Sequence, residues 1–192
     1  NLASLKIKAK INNHQAGQFT RIGLKVNDDF ITRSYSYASA PKDEMLEIIY
    51  VNIPNGKLSP ILHKLEIGDK VSVMQQAIGY FTLDEIPDGE NLWMLATGTA
   101  LGVFLAILKT SIPWKRFKKV ILIHSVRYAE ELIYQDLIGE MKQRNPDQFI
   151  YLNSVTREKD KGSFNFRIPE GLSSKKFQES TQIEINEDSQ FM

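Results

Sequence analysis

Apolar and polar residues alternate along most of the first ninety positions, a pattern typical of strands with one buried face. Turn-forming residues separate these runs, for example Asn27 before two aspartates and Pro54 before Asn55 and Gly56. The predicted strands are SLKIKAKI (4–11), QFTRIGLKV (18–26), FITRSYSY (30–37), MLEIIYVNI (45–53) and DKVSVMQQ (69–76). One helix interrupts them, in KLSPILHKL (57–65). Short strands at this spacing predict an antiparallel β-barrel or sandwich.

The pattern changes around IPDGEN (86–91), after which apolar runs alternate with helical ones. Runs that are almost wholly apolar are typical of strands buried on both faces of a parallel sheet. The predicted strands are NLWMLA (91–96), KKVILIHSV (118–126) and QFIYLNSVT (148–156), and the predicted helices are VFLAILKT (103–110) and AEELIYQDLIGEMKQR (129–144). This order predicts a right-handed parallel α/β unit. We therefore expect two domains, an N-terminal antiparallel β-barrel over 1–88 and a parallel α/β domain over 89–192.

The helix predicted over 129–144 is amphipathic and ends at Asn145 and Pro146. The apolar residues expected on one of its faces are Leu132, Ile133, Leu137, Ile138 and Met141. The sequence then closes on SQFM, where the apolar pattern predicts that a further strand is beginning. We expect the sequence to be a fragment of a longer protein.

Charge and composition exclude several classes of function. A formal net charge of +1 argues against a nucleic-acid-binding protein, which usually has a basic excess. The absence of cysteine excludes disulfides, thiolate zinc sites and iron–sulfur clusters in this stretch. The three histidines, His14, His63 and His124, are far apart, so no metal site is expected. No apolar run approaches the length of a membrane span and no signal peptide is recognisable, and we expect a cytoplasmic protein.

Three loops follow the strands of the predicted parallel sheet, where such sheets bind ligands. The first, ATGTALG (96–102), has Gly98 and Gly102, which let a backbone pass close to an anion. Its spacing differs from G-x-G-x-x-G, and a plain structural turn is an equally good interpretation. Arginines in the other loops lie in HSVRYAEE (124–131), SVTREKD (154–160) and NFRIP (165–169). Singly each arginine is expected to be solvated, but together they favour phosphate binding, because a guanidinium matches a phosphate in geometry.

The barrel half has two segments of similar interest. RSYSYASAP (33–41) combines a cation, flat rings and hydroxyl groups, which suits either a solvated sheet face or a wall that binds a planar, phosphorylated ligand. IPNGKLSPIL (53–62) turns at Gly56 into a short helix whose N–H groups could meet a phosphate. Ser59 as a plain helix start before Pro60 is an equally good interpretation.

The order of these motifs resembles the ferredoxin/flavodoxin–NADP(+) reductases, and the bacterial members in particular. The motifs that carry the resemblance are RSYSYASAP, YVNIPNGKLSP (50–60), WMLATGTALG (93–102), HSVRYAEEL (124–132), VTREK (155–159) and FRIP (166–169). The resemblance runs from about Leu2 to Met192. It implies that the barrel binds FAD and that the α/β half binds NADP(H). The implied reaction is hydride transfer between C4 of NADP(H) and N5 of FAD, with one-electron exchange to a carrier protein.

The resemblance also implies roles in FAD binding and catalysis. Arg33 would hold the pyrophosphate, Tyr35 would lie flat against the isoalloxazine, and Ser36 would hydrogen-bond near N5. Thr99 would approach both the flavin and the nicotinamide, so Ser36, Tyr35 and Thr99 are the expected catalytic positions. Further expected FAD contacts are Ser34, Ile49, Tyr50, Val51, Lys57, Leu58 and Ser59. Because strict alternation places Ser36 on the opposite face from Tyr35, either the strand is bulged or the flavin sits across its end.

The residues that match the family's NADP(H) positions are Ser125, Arg127, Thr156, Arg157 and Arg167. An arginine can grip a 2′-phosphate, whereas an NAD enzyme more often has an acid for the ribose hydroxyls, so NADP is expected. The sequence departs from the family at Val103, where many members have proline. The family's CGNP-type strand and the C-terminal residues that cover the flavin are not in this sequence.

The expected partner is ferredoxin or flavodoxin, and we expect the reductase to be a monomer. One candidate docking surface is the basic run Lys115, Arg116, Lys118 and Lys119, although a solvated helix end is the favoured interpretation. An alternative in the same class is the reductase component of an oxygenase system, which often has an iron–sulfur domain that this cysteine-free sequence could not hold. From another class, the alternative is a non-catalytic docking module.

Overall fold

The computed structural model describes residues 2–159, 162–182 and 185–192. Contacts between elements divide the chain into two compact units. The first contains the residues up to Glu85 together with Leu101–Thr110, and the second contains Ile86–Ala100 and the residues from Ser111 onward.

The first unit is built from antiparallel strands. Strands β1 (Leu2–Ile7) and β4 (Leu46–Val51) form one sheet, and a second sheet has the order β3-β2-β5. The bounds of the second sheet's strands are Phe19–Val26 for β2, Asp29–Ser36 for β3 and Ser72–Val73 for β5. The prediction of a strand over residues 69–76 is therefore wrong except at Ser72 and Val73, the two residues that pair with β2.

The two sheets share one hydrophobic core. Tyr37 follows β3 directly, pairs with Ile48 of β4 and is fully buried. The chain thus passes from one sheet to the other at this residue. Helix α1 (Ser59–Leu62) closes the same core with Leu58 and Leu62.

Helix α2 (Leu101–Leu108) also belongs to the first unit, and all of its residues are buried. Phe104 meets Phe81 edge-to-face, with ring centroids 5.8 Å apart. At the end of the helix, Lys109 Nζ donates to the carbonyl of Ala38 at 3.1 Å and forms an ion pair with Asp43 at 3.2 Å.

The second unit is a parallel sheet of order β8-β7-β6-β9. Its strands are β6 (Asn91–Thr97), β7 (Lys119–Val126), β8 (Phe149–Val155) and β9 (Ser189–Phe191). All of the pairings are parallel. The strand predicted at the end of the chain is present, and Phe191 stacks on Trp93 at 5.8 Å. Antiparallel sheets followed by a parallel sheet confirm the predicted fold class.

Helices α3 (Ile112–Arg116), α4 (Gln135–Arg144), α5 (Ile168–Leu172) and α6 (Lys175–Thr181) complete the second unit. The parallel-sheet core includes Trp93, Ile121, Ile123, Ile168 and Phe177. No helix in the described ranges has the length and apolar character needed to cross a membrane.

The helix predicted over 129–144 is wrong in its first six residues. A single 3-10 turn, Ala129–Glu131, comes first, and Tyr134 then adopts a left-handed backbone conformation (φ 60°) that interrupts any helix. The Glu131 carboxylate accepts from the N–H of Arg127 at 2.9 Å, which stabilises the tight turn. Leu132 and Ile133 therefore do not share a helical face with Ile138 and Met141.

Candidate nucleotide-binding sites

The strand with the unusual RSYS sequence is regular. Strand β3 pairs with β2 without interruption from Asp29 to Ser36, which excludes a bulge in this range. The bulge that was one of the two expected alternatives is therefore absent from Asp29–Ser36. Arg33, Ser34 and Ser36 are exposed, whereas Tyr35 is partly buried.

An aromatic pair lies beside this strand. The rings of Tyr35 and Tyr50 meet edge-to-face with centroids 6.5 Å apart. Burial raises the pKa of Tyr35, an effect that the nearby Arg33 guanidinium partly offsets, and burial likewise raises the pKa of Tyr50. Both phenols are therefore neutral at physiological pH. The strand end presents a neutral ring beside an exposed cation.

The residues around Tyr50 differ in exposure. Val51 is exposed, whereas Ile49 is buried. Ile49 packs against α2 at Gly102, where an added Cβ atom would lie 3.2 Å from the Cδ1 atom of Ile49. This close approach explains the need for a glycine at the second position of α2.

The loop before α1 is held by Ser59. Its hydroxyl oxygen accepts from the N–H of Ile53 at 3.0 Å, and a Cβ at Gly56 would come within 2.9 Å of the same oxygen. Lys57 is exposed, whereas Leu58 places its side chain in the core. Ser59 thus has a structural role in the loop, and the exposed lysine is the group free to meet an anion.

The glycine turn after β6 lies at the carboxyl end of that strand. A 3-10 helix, Gly98–Ala100, follows the strand directly, and Gly98 has φ +53°. A Cβ added at Gly98 would have no neighbour within 4 Å, so the conformation rather than space requires glycine. Thr99 is partly exposed in this turn, and Val103 is buried inside α2.

The loops after β7 and β8 are hydrogen-bonded to each other. The N–H of Arg157 donates to the carbonyl of Arg127 at 2.9 Å, and Thr156 donates to the carbonyl of Val126 through both its N–H and its hydroxyl, each at 3.0 Å. Ser125, buried at the end of β7, pairs in register with Ser154 of β8. The structure therefore brings together the two arginines and Thr156.

The segment that leads to Arg167 lies along the end of β8. The N–H of Val155 donates to the carbonyl of Phe164 at 2.8 Å, and the Asn165 amide donates to the carbonyls of Val155 at 2.7 Å and Glu158 at 3.0 Å. Arg167 is exposed and precedes α5. A third cation thus reaches the same end of the sheet.

The carboxylates close to these loops accept hydrogen bonds from backbone N–H groups. Glu131 accepts from the N–H groups of Arg127 and Tyr128, and Glu158 accepts from the N–H of Ala129. Within the described ranges, the exposed guanidinium groups of Arg127 and Arg157 form no ion pair. Their charge is available to an anionic ligand.

The predicted basic docking run is largely engaged within the second unit. Arg116 forms an ion pair with Asp88 at 3.0 Å and Lys118 forms one with Glu90. Lys119 donates to the carbonyl of Asp147 at 2.6 Å, whereas Lys115 is exposed. These pairs favour a local structural role for the run.

Comparison with known proteins decides the family. The sequence matches two family descriptions, "Oxidoreductase FAD-binding domain" over residues 1–81 and "Oxidoreductase NAD-binding domain" over residues 94–186. A flavodoxin/ferredoxin–NADP reductase of Shigella flexneri is 41% identical over 187 residues, which are 97% of this chain and 75% of that protein. The same enzyme of Escherichia coli is 40% identical over the same shares. The chain belongs to the flavodoxin/ferredoxin–NADP reductase family.

A solved structure from this reductase family agrees with the fold. The crystal structure of a ferredoxin NADP+ reductase from Neisseria gonorrhoeae with bound FAD and NADP superposes with a TM-score of 0.92 at 31% identity. The superposition covers 100% of this chain and 78% of that chain. The groups described above fit both nucleotides chemically: a cation beside an aromatic ring in the barrel suits FAD, and unpaired guanidinium groups at the sheet's end suit the extra phosphate of NADP.

The sequence did not reveal that His124 contacts the glycine turn after β6. It is fully buried in β7, and its Nε2 atom lies 3.2 Å from the carbonyl oxygen of Gly98. A polar residue inside the apolar run ILIHSV was the available signal. Its partner lies 26 positions away, which the sequence pattern could not indicate.

Proposed function

We propose that this member of the reductase family binds FAD on its antiparallel unit and NADP(H) on its parallel unit, and transfers electrons between NADP(H) and ferredoxin or flavodoxin. The similarity to reductases of that name over 97% of the chain supports the activity. The single geometric observation that supports the choice of NADP is the backbone hydrogen bond from the N–H of Arg157 to the carbonyl of Arg127, which brings two exposed arginines to adjacent strand ends.

When bound, FAD supplies the redox chemistry, accepting a hydride from NADPH and releasing its electrons singly to the carrier. The residues of the chain bind the two nucleotides, orient them and exclude water. Arg33 neutralises the pyrophosphate, and Tyr35 presents its ring to the isoalloxazine. Ser36 and Thr99 position the reacting partners by hydrogen bonds, and no side chain has to act as a strong acid or base.

The remaining FAD contacts of the proposal come from the strand and loop beside Tyr35. They are Ser34, Ile49, Tyr50, Val51, Lys57, Leu58 and Ser59, of which Lys57 supplies a second exposed cation. At the parallel sheet, Arg127, Arg157 and Arg167 bind the adenosine end of NADP(H), together with Ser125 and Thr156. A cytoplasmic, monomeric enzyme belongs to the same proposal.

Carrier reduction tests the proposed activity. The purified, FAD-loaded protein is mixed anaerobically with NADPH and either a ferredoxin or a flavodoxin, and carrier reduction is followed by absorbance. We expect catalytic reduction of at least one carrier by NADPH and much slower reduction by NADH. A flavoprotein that oxidises NADPH but reduces neither carrier would refute the proposed partner while leaving the hydride chemistry in place.

A further inference from the structure

His124 lies near the carboxyl end of β7, completely buried, and pairs in register with Ala96 of β6 and Asn153 of β8. Side chains alternate along a strand, so His124 faces the side of the sheet opposite to Ile121 and Ile123, which pack with Trp93 and Phe177. A histidine in such a place needs a polar partner, because a buried polar group without one is costly.

The partner is the carbonyl oxygen of Gly98, 3.2 Å from Nε2. Because a carbonyl can only accept, Nε2 must bear the hydrogen, and the ring is the neutral Nε2–H tautomer. The Nδ1 atom is buried and has no hydrogen-bond partner in the described part of the chain. Burial lowers the pKa of His124 to about 4, so the ring is neutral at physiological pH.

This hydrogen bond fixes a whole peptide unit. The carbonyl of Gly98 and the N–H of Thr99 belong to one planar trans peptide and point in opposite directions. Gly98 has φ +53° and no side chain, so the peptide that follows it would otherwise be among the freest in the unit. Holding the carbonyl towards the sheet therefore directs the N–H of Thr99 away from it. As one of the first residues of its turn, Thr99 has an N–H without an intrahelical acceptor.

We propose that His124 is a positioning residue for the nicotinamide nucleotide, which acts by fixing the Gly98–Thr99 peptide in the orientation that the nucleotide meets. The inference rests on the proposed function, in which Thr99 contacts the nicotinamide. Without the imidazole donor, the carbonyl of Gly98 turns towards other donors, and the N–H of Thr99 turns with it. The nucleotide then still binds through its adenosine end, but its reacting end is poorly placed.

Four variants separate positioning from general stability. His124→Leu removes the donor at similar volume, and His124→Gln retains an N–H donor at a reach close to that of Nε2. His124→Asn is polar but too short to reach Gly98, so it is the matched partner of the glutamine variant. His63→Gln changes an exposed histidine and is the control.

Three measurements are made on each FAD-loaded variant. These are amide hydrogen exchange of the peptide that covers 96–102, the affinity for 2′,5′-ADP, and the rate of flavin bleaching at saturating NADPH. In His124→Leu and His124→Asn we expect amide exchange to be about tenfold faster and flavin bleaching about tenfold slower. A tenfold effect is the equivalent of one lost hydrogen bond. FAD content and 2′,5′-ADP affinity should match the wild type, and His124→Gln should restore most of the exchange protection and the bleaching rate.

The outcomes are distinguishable. Wild-type exchange and bleaching in His124→Leu would overturn the proposal, and so would glutamine performing no better than asparagine. Loss of 2′,5′-ADP affinity in parallel with the bleaching rate would show a merely structural role and would also overturn it. If His124→Leu fails to fold, the comparison of glutamine with asparagine decides. A wild-type flavin that NADPH does not bleach would instead refute the proposed function, and the exchange data would still test the contact between His124 and Gly98.

Discussion

At the scale of single residues, the proposed sites combine exposed cations with an aromatic ring or with the ends of parallel strands. Arg33 stands beside the partly buried Tyr35, and Arg127 and Arg157 are joined through their backbones at the ends of β7 and β8. The positions of Arg127 and Arg157 follow from the sequence, because the loops after parallel strands must converge at one edge. The contact of His124 could not be predicted from sequence, because it depends on the carbonyl of Gly98, which only the tertiary fold brings near.

Arg157→Ala tests the phosphate site. Removing a charge-assisted, bidentate partner should weaken NADP+ binding by about 10- to 100-fold. FAD content and NADH affinity should not change, because neither involves the 2′-phosphate. Fluorescence titration of the FAD-loaded protein measures the affinity, and Arg144→Ala, which removes an exposed arginine of α4, is the matched control. Unchanged NADP+ affinity in the Arg157 variant would contradict the assignment.

At the scale of elements, the apolar pattern located β6, β7 and β8, because short apolar runs that alternate with helical ones are typical of strands in a parallel sheet. It failed over residues 129–134, where the left-handed backbone of Tyr134 interrupts a helix that the periodicity favours. Strand β5 is limited to Ser72 and Val73, the two residues that pair with β2.

Lys109→Met tests how much the contacts at the end of α2 stabilise the first unit. Lys109 contacts the carbonyl of Ala38, Asp43 and the buried Glu47, whose carboxylate is 3.7 Å away. The methionine keeps the apolar length and loses all three contacts, which should destabilise the unit by about 1–3 kcal/mol. Denaturant unfolding measures the change, with Lys115→Met, an exposed lysine of α3, as the control. Equal stability of both variants would show that these contacts contribute nothing.

At the scale of the whole molecule, the buried His124 and the half-buried His14 connect stability to pH. The pKa of His124 falls from 6.5 to about 4 on folding, mainly by burial and despite its bond to Gly98 and the charge of Glu131. The unfolded chain therefore binds a proton between these values and the folded chain does not, so stability is lost as pH falls from about 6.5 to about 4. Burial lowers the pKa of His14 as well, which acts in the same direction.

The pH prediction is tested by comparing His124→Gln with the wild type. Between pH 7 and pH 5, protonation of His124 in the unfolded chain should lower the free energy of unfolding of the wild type by about 2 kcal/mol. The glutamine variant does not titrate, so it should lose that much less stability over the same interval. Denaturant unfolding at the two pH values measures both, and carboxylates common to the two proteins cancel. Parallel pH dependence would place the His124 pKa near its ordinary value.

The central claim is that one chain binds FAD and accepts hydride from NADPH in preference to NADH. The visible absorption spectrum of the purified protein, recorded before and after anaerobic addition of each nucleotide, tests it most directly. We expect flavin bands that bleach with NADPH and respond weakly to NADH. Equal bleaching by both nucleotides would contradict the role of the arginines, and a colourless protein that cannot be reconstituted with FAD would contradict the account as a whole.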